Sequence, residues 1–170
     1  MRRRGLLSAA AAGVALPAPP ARAAAAAAPS AAAEAVQAVR GDLGRARRAA
    51  AAADPALALR LYDRIIASYP DLAITEYARL GRAVALFEFD KRRSLLELFD
   101  ESAAFAGYGE VHAALAVAVY TERPLERDLA EKQWLLATAL DRGFEDEDYV
   151  RRRGWGEELR TSWRRFKTLT

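Results

Sequence analysis

The chain has 170 residues, with 26 lysines and arginines against 23 aspartates and glutamates, a formal charge of +3. It has no cysteine and a single histidine, His112, which excludes disulfides, iron–sulfur ligation, thiolate zinc sites and thiol nucleophiles and leaves no histidine cluster for a metal. The length suits one domain with a tail, large enough to bury a core without cross-links.

The charge is unevenly placed. All 23 acids lie at or after Glu34, whereas Arg2, Arg3, Arg4 and Arg22 precede it, so residues 24–170 hold 22 basic against 23 acidic groups, a net −1. Residues 1–23 have the layout of an export signal. Arg2-Arg3-Arg4 is a charged start, Gly5 to Leu16 a weakly apolar run, and Pro17, Pro19 and Pro20 lead to small residues around Arg22. Arg3-Arg4-Gly5-Leu6-Leu7 resembles the twin-arginine export signature. The apolar run of about 12 residues is short of the roughly 20 that a membrane span needs. Residues 24–33 read as an alanine-rich linker, disordered or loosely helical.

From Glu34 onward the pattern is helical. Ala, Leu, Arg and Glu dominate, strand-type alternation is absent, and Gly and Pro fall between the periodic stretches. Ala58, Tyr62 and Ile65 are spaced by four and three, as are Leu95, Phe99 and Ser102, and Ala130, Trp134 and Ala137. The aromatics recur at intervals of 37 and 35 residues. Each of these helices follows another, at about Ala31 to Ala53, Ile74 to Phe89 and Glu110 to Thr121. Asp54-Pro55, Asp90-Lys91 and Arg123-Pro124 mark the turns within pairs, and Asp54 before Pro55 is a strong helix start. The pattern predicts three antiparallel helix pairs in series.

These residues resemble the tetratricopeptide repeat family, whose helix pairs of about 34 residues carry small residues and one aromatic at set positions. The first pair matches at Ala46, Ala58, Tyr62 and Pro70, the second at Ala83 and Phe99, and the third at Leu115, Ala116, Ala130, Trp134 and Ala137. A further likeness runs from about Ala58 to Leu169. Arg82 to Phe89, Gln133-Trp134, Ala139-Leu140-Asp141, Asp148-Tyr149-Val150 and Gly154-Trp155 look like a group of plastid and cyanobacterial repeat proteins without assigned activity. In that group two prolines follow the tryptophan and start the last helix. Gly156-Glu157 stand there in this chain, which implies a less rigid start.

The resemblance implies an all-α, right-handed stack of about three TPR-like pairs over residues 34–141, closed by a turn and capping helix over 142–170. Its inner-face positions map to Arg40 and Arg47 in the first pair, Tyr77, Val84, Phe87 and Glu88 in the second, and Glu110, Val117 and Tyr120 in the third. These would line a groove for a peptide or partner helix, or else Val84, Phe87, Val117 and Tyr120 are simply core.

In the tail, Glu145 to Asp148 precede Arg151 to Arg153 with Tyr149-Val150 between them. The acids lack the spacing of a Ca²⁺ loop and read instead as the favourable N-terminal charges of a short helix, with arginines at its C-terminal end. Leu159, Trp163, Phe166 and Leu169 form one apolar stripe beside Arg160, Arg164, Arg165 and Lys167. That suits an end cap, with a basic membrane-surface helix as the alternative. Short arginine runs without an RNA-binding motif do not indicate nucleic acid. Glu88 and Glu110 near His112 would be the only general acid–base set, and no phosphate loop, nucleophile elbow or metal pair occurs. The expectation is therefore a non-catalytic scaffold or assembly helper that takes no cofactor. Its expected setting is the thylakoid lumen, with the bacterial periplasm as alternative. A plastid origin implies a transit peptide ahead of the twin arginines, carried by an upstream extension.

Overall fold

Ser30 caps the first helix: its hydroxyl accepts from the Ala33 amide at 3.3 Å. The computed structural model describes residues 30–168. Among them it holds eight α-helices and no strand: α1 (Ala31–Ala51), α2 (Pro55–Ser68), α3 (Glu76–Leu86), α4 (Lys91–Ala104), α5 (Gly109–Glu122), α6 (Arg127–Leu140), α7 (Glu147–Arg152) and α8 (Glu157–Lys167). Two short 3₁₀ turns, Ala73–Thr75 and Arg142–Glu145, precede α3 and α7. The export signal expected over residues 1–23 lies outside the described residues, as does most of the expected linker. Ala31 to Ala33, which fall in both the expected linker and the expected first helix, form the first turn of α1.

Carboxylates set two of the turns. Asp54 accepts from the Leu57 amide and Asp90 from the Arg93 amide, each at 2.9 Å, so each side chain satisfies an amide that the helix itself leaves unpaired. The six long helices then follow in order, each packed against the one before. Small residues bring them close. Gly81 on α3 lies under the ring of Tyr62 on α2, where a methyl group would come within 2.5 Å of the ring. Ser94 on α4 is buried and donates to the Ala83 carbonyl at 2.7 Å. Arg82 ties three helices by pairing with Asp63 on α2 at 2.6 Å and Glu97 on α4 at 2.5 Å.

The core has two parts that meet on α3. One joins α1, α2 and α3 around Val39, Ala46, Ala58, Tyr62 and Ile65. The other joins α3 to α8 around Phe87, Leu98, Leu115, Phe144, Trp155, Leu159 and Phe166. α7 and α8 do not lengthen the series. The chain turns back after α6, so that α7 packs on α1 and α8 on α5.

Candidate functional site

The side of the molecule formed by α1, α3 and α5 is the expected inner face, and the chain covers it with its own C-terminal segment. The crossing point is Gly154, which adopts φ +92° and lies so close to α1 that a methyl group there would be 3.2 Å from the Cα and carbonyl oxygen of Arg47. Only glycine combines that dihedral with that approach. Trp155 follows, fully buried in the second core, and its indole N–H has no hydrogen-bond partner among the described residues. At Gly156 a side chain would overlap the carboxyl of Glu88.

Three of the expected groove residues are engaged by this segment through polar contacts or backbone. Arg47 lies under Gly154. Glu88, just past α3, accepts from the Glu158 and Leu159 amides at 3.1 Å each and so caps α8 from across the fold. Glu110, buried on α5, is paired with Arg153, whose Nε donates to it at 3.0 Å and whose guanidinium also donates to the Tyr108 hydroxyl and lies 5.3 Å from that ring's centre. Burial alone would lower the Arg153 pKa; the adjacent Glu110 carboxylate outweighs it and holds the guanidinium above its ordinary value. Val84, Phe87 and Val117 are buried core, and Tyr120 stacks on Phe166 of α8 with ring centres 5.4 Å apart.

Arg40 and Tyr77 remain accessible, and the structure brings them together. They line an open groove of about 530 Å³ with Val36 of α1, Leu72, Ala73, Ile74 and Glu76 before and at the start of α3, and Ala104-Phe105 at the end of α4. Tyr77 is 37% exposed and stands on edge against Phe105 and Tyr108, each at 5.5 Å between centres, so one aromatic edge is fixed toward solvent. Arg40 is exposed and has no ion-pair partner among the described residues. Glu76 on the opposite rim is held by Arg79 at 3.0 Å. The groove therefore has an apolar floor with one available cation, an arrangement that holds an apolar side chain beside a carboxylate.

The remaining sequence features have separate fates. His112 is buried, with Nδ1 2.6 Å from Gln133 Oε1 and Nε2 2.9 Å from the Ala106 carbonyl, while Glu88 and Glu110 each have the partners just described. The acid run is structural. Asp146 caps α7 by accepting from Tyr149 N at 2.6 Å, Asp148 pairs with Arg151 at 2.6 Å, and Glu147 reaches Arg164 at 3.3 Å. No metal-holding cluster of carboxylates or histidine occurs among the described residues. On α8, Leu159, Trp163 and Phe166 point into the core, and Trp163 donates to the Phe144 carbonyl at 3.1 Å. No helix among the described residues is long and apolar enough to cross a membrane.

Periodicity missed Phe105 and the Leu72 to Ile74 segment of the groove, because they lie at a helix end and in a turn. Gly81 beneath Tyr62 was readable in principle as a small residue on the close-packed side of α3. Comparison with family models, with curated proteins and with solved structures finds no match for this chain.

Proposed function

We propose that the chain is a non-catalytic, TPR-like interaction or assembly-helper domain that binds a protein segment at the groove shared by Arg40 and Tyr77. The observation that carries this reading is that an unpaired guanidinium and a fixed aromatic edge converge over an apolar floor. A peptide or partner helix with an apolar residue next to an acid fits it best. Support for a helical-repeat origin comes from the consecutive packing of α1 to α6 and from the aromatic that recurs on α2, α4 and α6, preceded four residues earlier by alanine on α2 and α6. The leader-like residues 1–23 support an exported setting, the thylakoid lumen or the bacterial periplasm.

The test is affinity capture from that compartment, using the chain and its Arg40→Glu and Tyr77→Ala variants as baits. Each substitution is expected to reduce recovery of a common partner by about tenfold, the equivalent of ~1.4 kcal/mol. Equal recovery by all three baits overturns the assignment of the groove. Docking on a membrane through α8 has less support, since its apolar stripe faces inward. Salt-reversible binding to anionic vesicles is the result that would favour it.

A further inference from the structure

α8 carries one polar residue in its buried stripe. It buries Leu159, Ser162, Trp163 and Phe166, so at the second of these positions a hydroxyl takes the place of an apolar side chain. Ser162 is only 6% exposed. The other two buried serine and threonine hydroxyls are satisfied: Thr75 donates to the Tyr69 carbonyl at 2.5 Å and Ser94 to the Ala83 carbonyl at 2.7 Å. A serine or threonine inside a helix can also bond back to a carbonyl of the preceding turn. Ser102, Thr121 and Thr138 do so, toward Phe99, Val117 and Trp134. Ser162 does neither, and its hydroxyl has no hydrogen-bond partner among the described residues. A buried polar group left in that condition is costly, and native interiors hold few of them.

The Ser162 side chain lines a groove of about 280 Å³ between the end of α5 and α8, together with Tyr120, Thr121, Pro124 and Arg165. Ser162 and Arg165 stand three residues apart, which makes them neighbours on one side of α8. Arg160 and Arg164 of the same helix both pair with Glu157, whereas Arg165 is exposed and has no ion-pair partner among the described residues. The Tyr120 hydroxyl also has no hydrogen-bond partner there. Thr121 has already committed its proton to the Val117 carbonyl at 2.8 Å.

The unmatched groups define what they would take. A guanidinium donates and cannot accept, the two hydroxyls each have a proton to give, and no carboxylate lines the groove. Their common complement is an oxyanion. A single cation matches a single negative charge, and the planar fork of Arg165 fits the two oxygens of a carboxylate. The volume lies below that of a drug-sized pocket, and Pro124 and the Tyr120 ring supply an apolar wall for the rest of a small acid.

We propose that the groove between α5 and α8 binds a small organic monocarboxylate. Arg165 pairs with its charge, Ser162 donates to one of its oxygens, and its apolar body lies against Pro124 and Tyr120. The site shares no residue with the groove of Arg40 and Tyr77, so it stands independently of that assignment.

The test is an NMR titration of the isotope-labelled full chain with sodium benzoate, against sodium chloride at matched ionic strength. Benzoate is expected to shift the amides of Thr121, Ser162 and Arg165 saturably, with a Kd of about 1 mM. Arg165→Gln and Ser162→Ala are each expected to weaken binding by about tenfold. Ser162→Ala has a second readout. Removing a hydroxyl without a partner is expected to leave the thermal midpoint of the ligand-free chain unchanged or to raise it. A clear fall would show that the hydroxyl is already satisfied within the chain and would overturn its role as a donor. Equal shifts with chloride, or benzoate binding untouched by Arg165→Gln, overturn the site. Tighter binding of inorganic phosphate than of benzoate overturns the choice of a carboxylate. Tighter binding of a short peptide ending in phenylalanine overturns the choice of a small acid.

Discussion

Ala53 is the one non-glycine residue with positive φ among the described residues, at 61°. It occupies the position just past the cap of α1, where the Ala53 amide returns to the Ala50 carbonyl and the Asp54 amide to the Ala49 carbonyl. Glycine is favoured there because it has no Cβ to strain in the left-handed region. Ala53→Gly is therefore expected to stabilise the fold by roughly 0.5–1 kcal/mol, seen as a higher urea midpoint at constant slope. Arg153 has the opposite character. Arg153→Ala would leave the buried Glu110 carboxyl without its partner, at a cost of about 3–5 kcal/mol, whereas replacing both by Met and Leu should cost far less. Equal losses in the single and double variants would show that packing, not charge, dominates there. Tyr149 adds a pH dependence. Its phenol is pushed up to about 12, first by burial and then by donating to Asp141 at 2.5 Å. The unfolded chain releases this proton first, near the ordinary value of 10. Its contribution is thus complete below about pH 10 and lost as pH rises toward 12, and Tyr149→Phe should flatten that limb of the stability profile.

α8 shows how a helix start is set by a residue outside the helix. The preceding residue, Gly156, offers no side chain to cap it, and the sequence resemblance implied a loose start in the absence of prolines. The Glu88 carboxylate supplies the cap by accepting two α8 amides, and the missing side chain at Gly156 leaves the room it needs. Local propensity does not contain this contact, because the two residues are remote in sequence. Helix identity on α1 to α6 was legible because strong helix formers dominate these stretches and the turns carry Asp, Pro or Gly at the boundary. The fold-back of α7 and α8 was not, since it depends on Gly154 meeting the backbone of Arg47. Glu88→Ala is expected to cost about 0.5–2 kcal/mol and to speed hydrogen exchange at the first α8 amides. Introducing Gly156→Ser in that background should recover part of the loss, because a serine then caps the helix locally and the clashing carboxyl is gone. In the presence of Glu88 the same serine should destabilise, and a stabilising effect there would refute the capping geometry.

At the scale of the whole molecule, the C-terminal segment decides which surfaces remain for binding. The family resemblance implied nine inner-face residues, and the chain lays its own residues across part of that face. Arg40 and Tyr77 meet at an open groove to which that segment contributes no residue, which a pattern of helical spacings does not distinguish from covered positions. The covering segment also belongs to the core. Trp155, Leu159, Trp163 and Phe166 are buried in the second core, so removing them takes four large apolar side chains out of it. Loss of one such aromatic side chain costs about 3–5 kcal/mol, against a total of about 5–15 kcal/mol for a domain of this kind. A chain ending after Arg152 should therefore lose its cooperative thermal transition and not simply open a groove. The α1, α2 and α3 core contains no residue from α8, so partial helicity from those three helices is expected to survive. Calorimetry and circular dichroism of the truncated chain separate the outcomes. A sharp transition near that of the full chain would mean that the segment is a removable cover, and Arg47, Glu88, Glu110 and Tyr120, the inner-face positions it touches, would then return as candidates for binding.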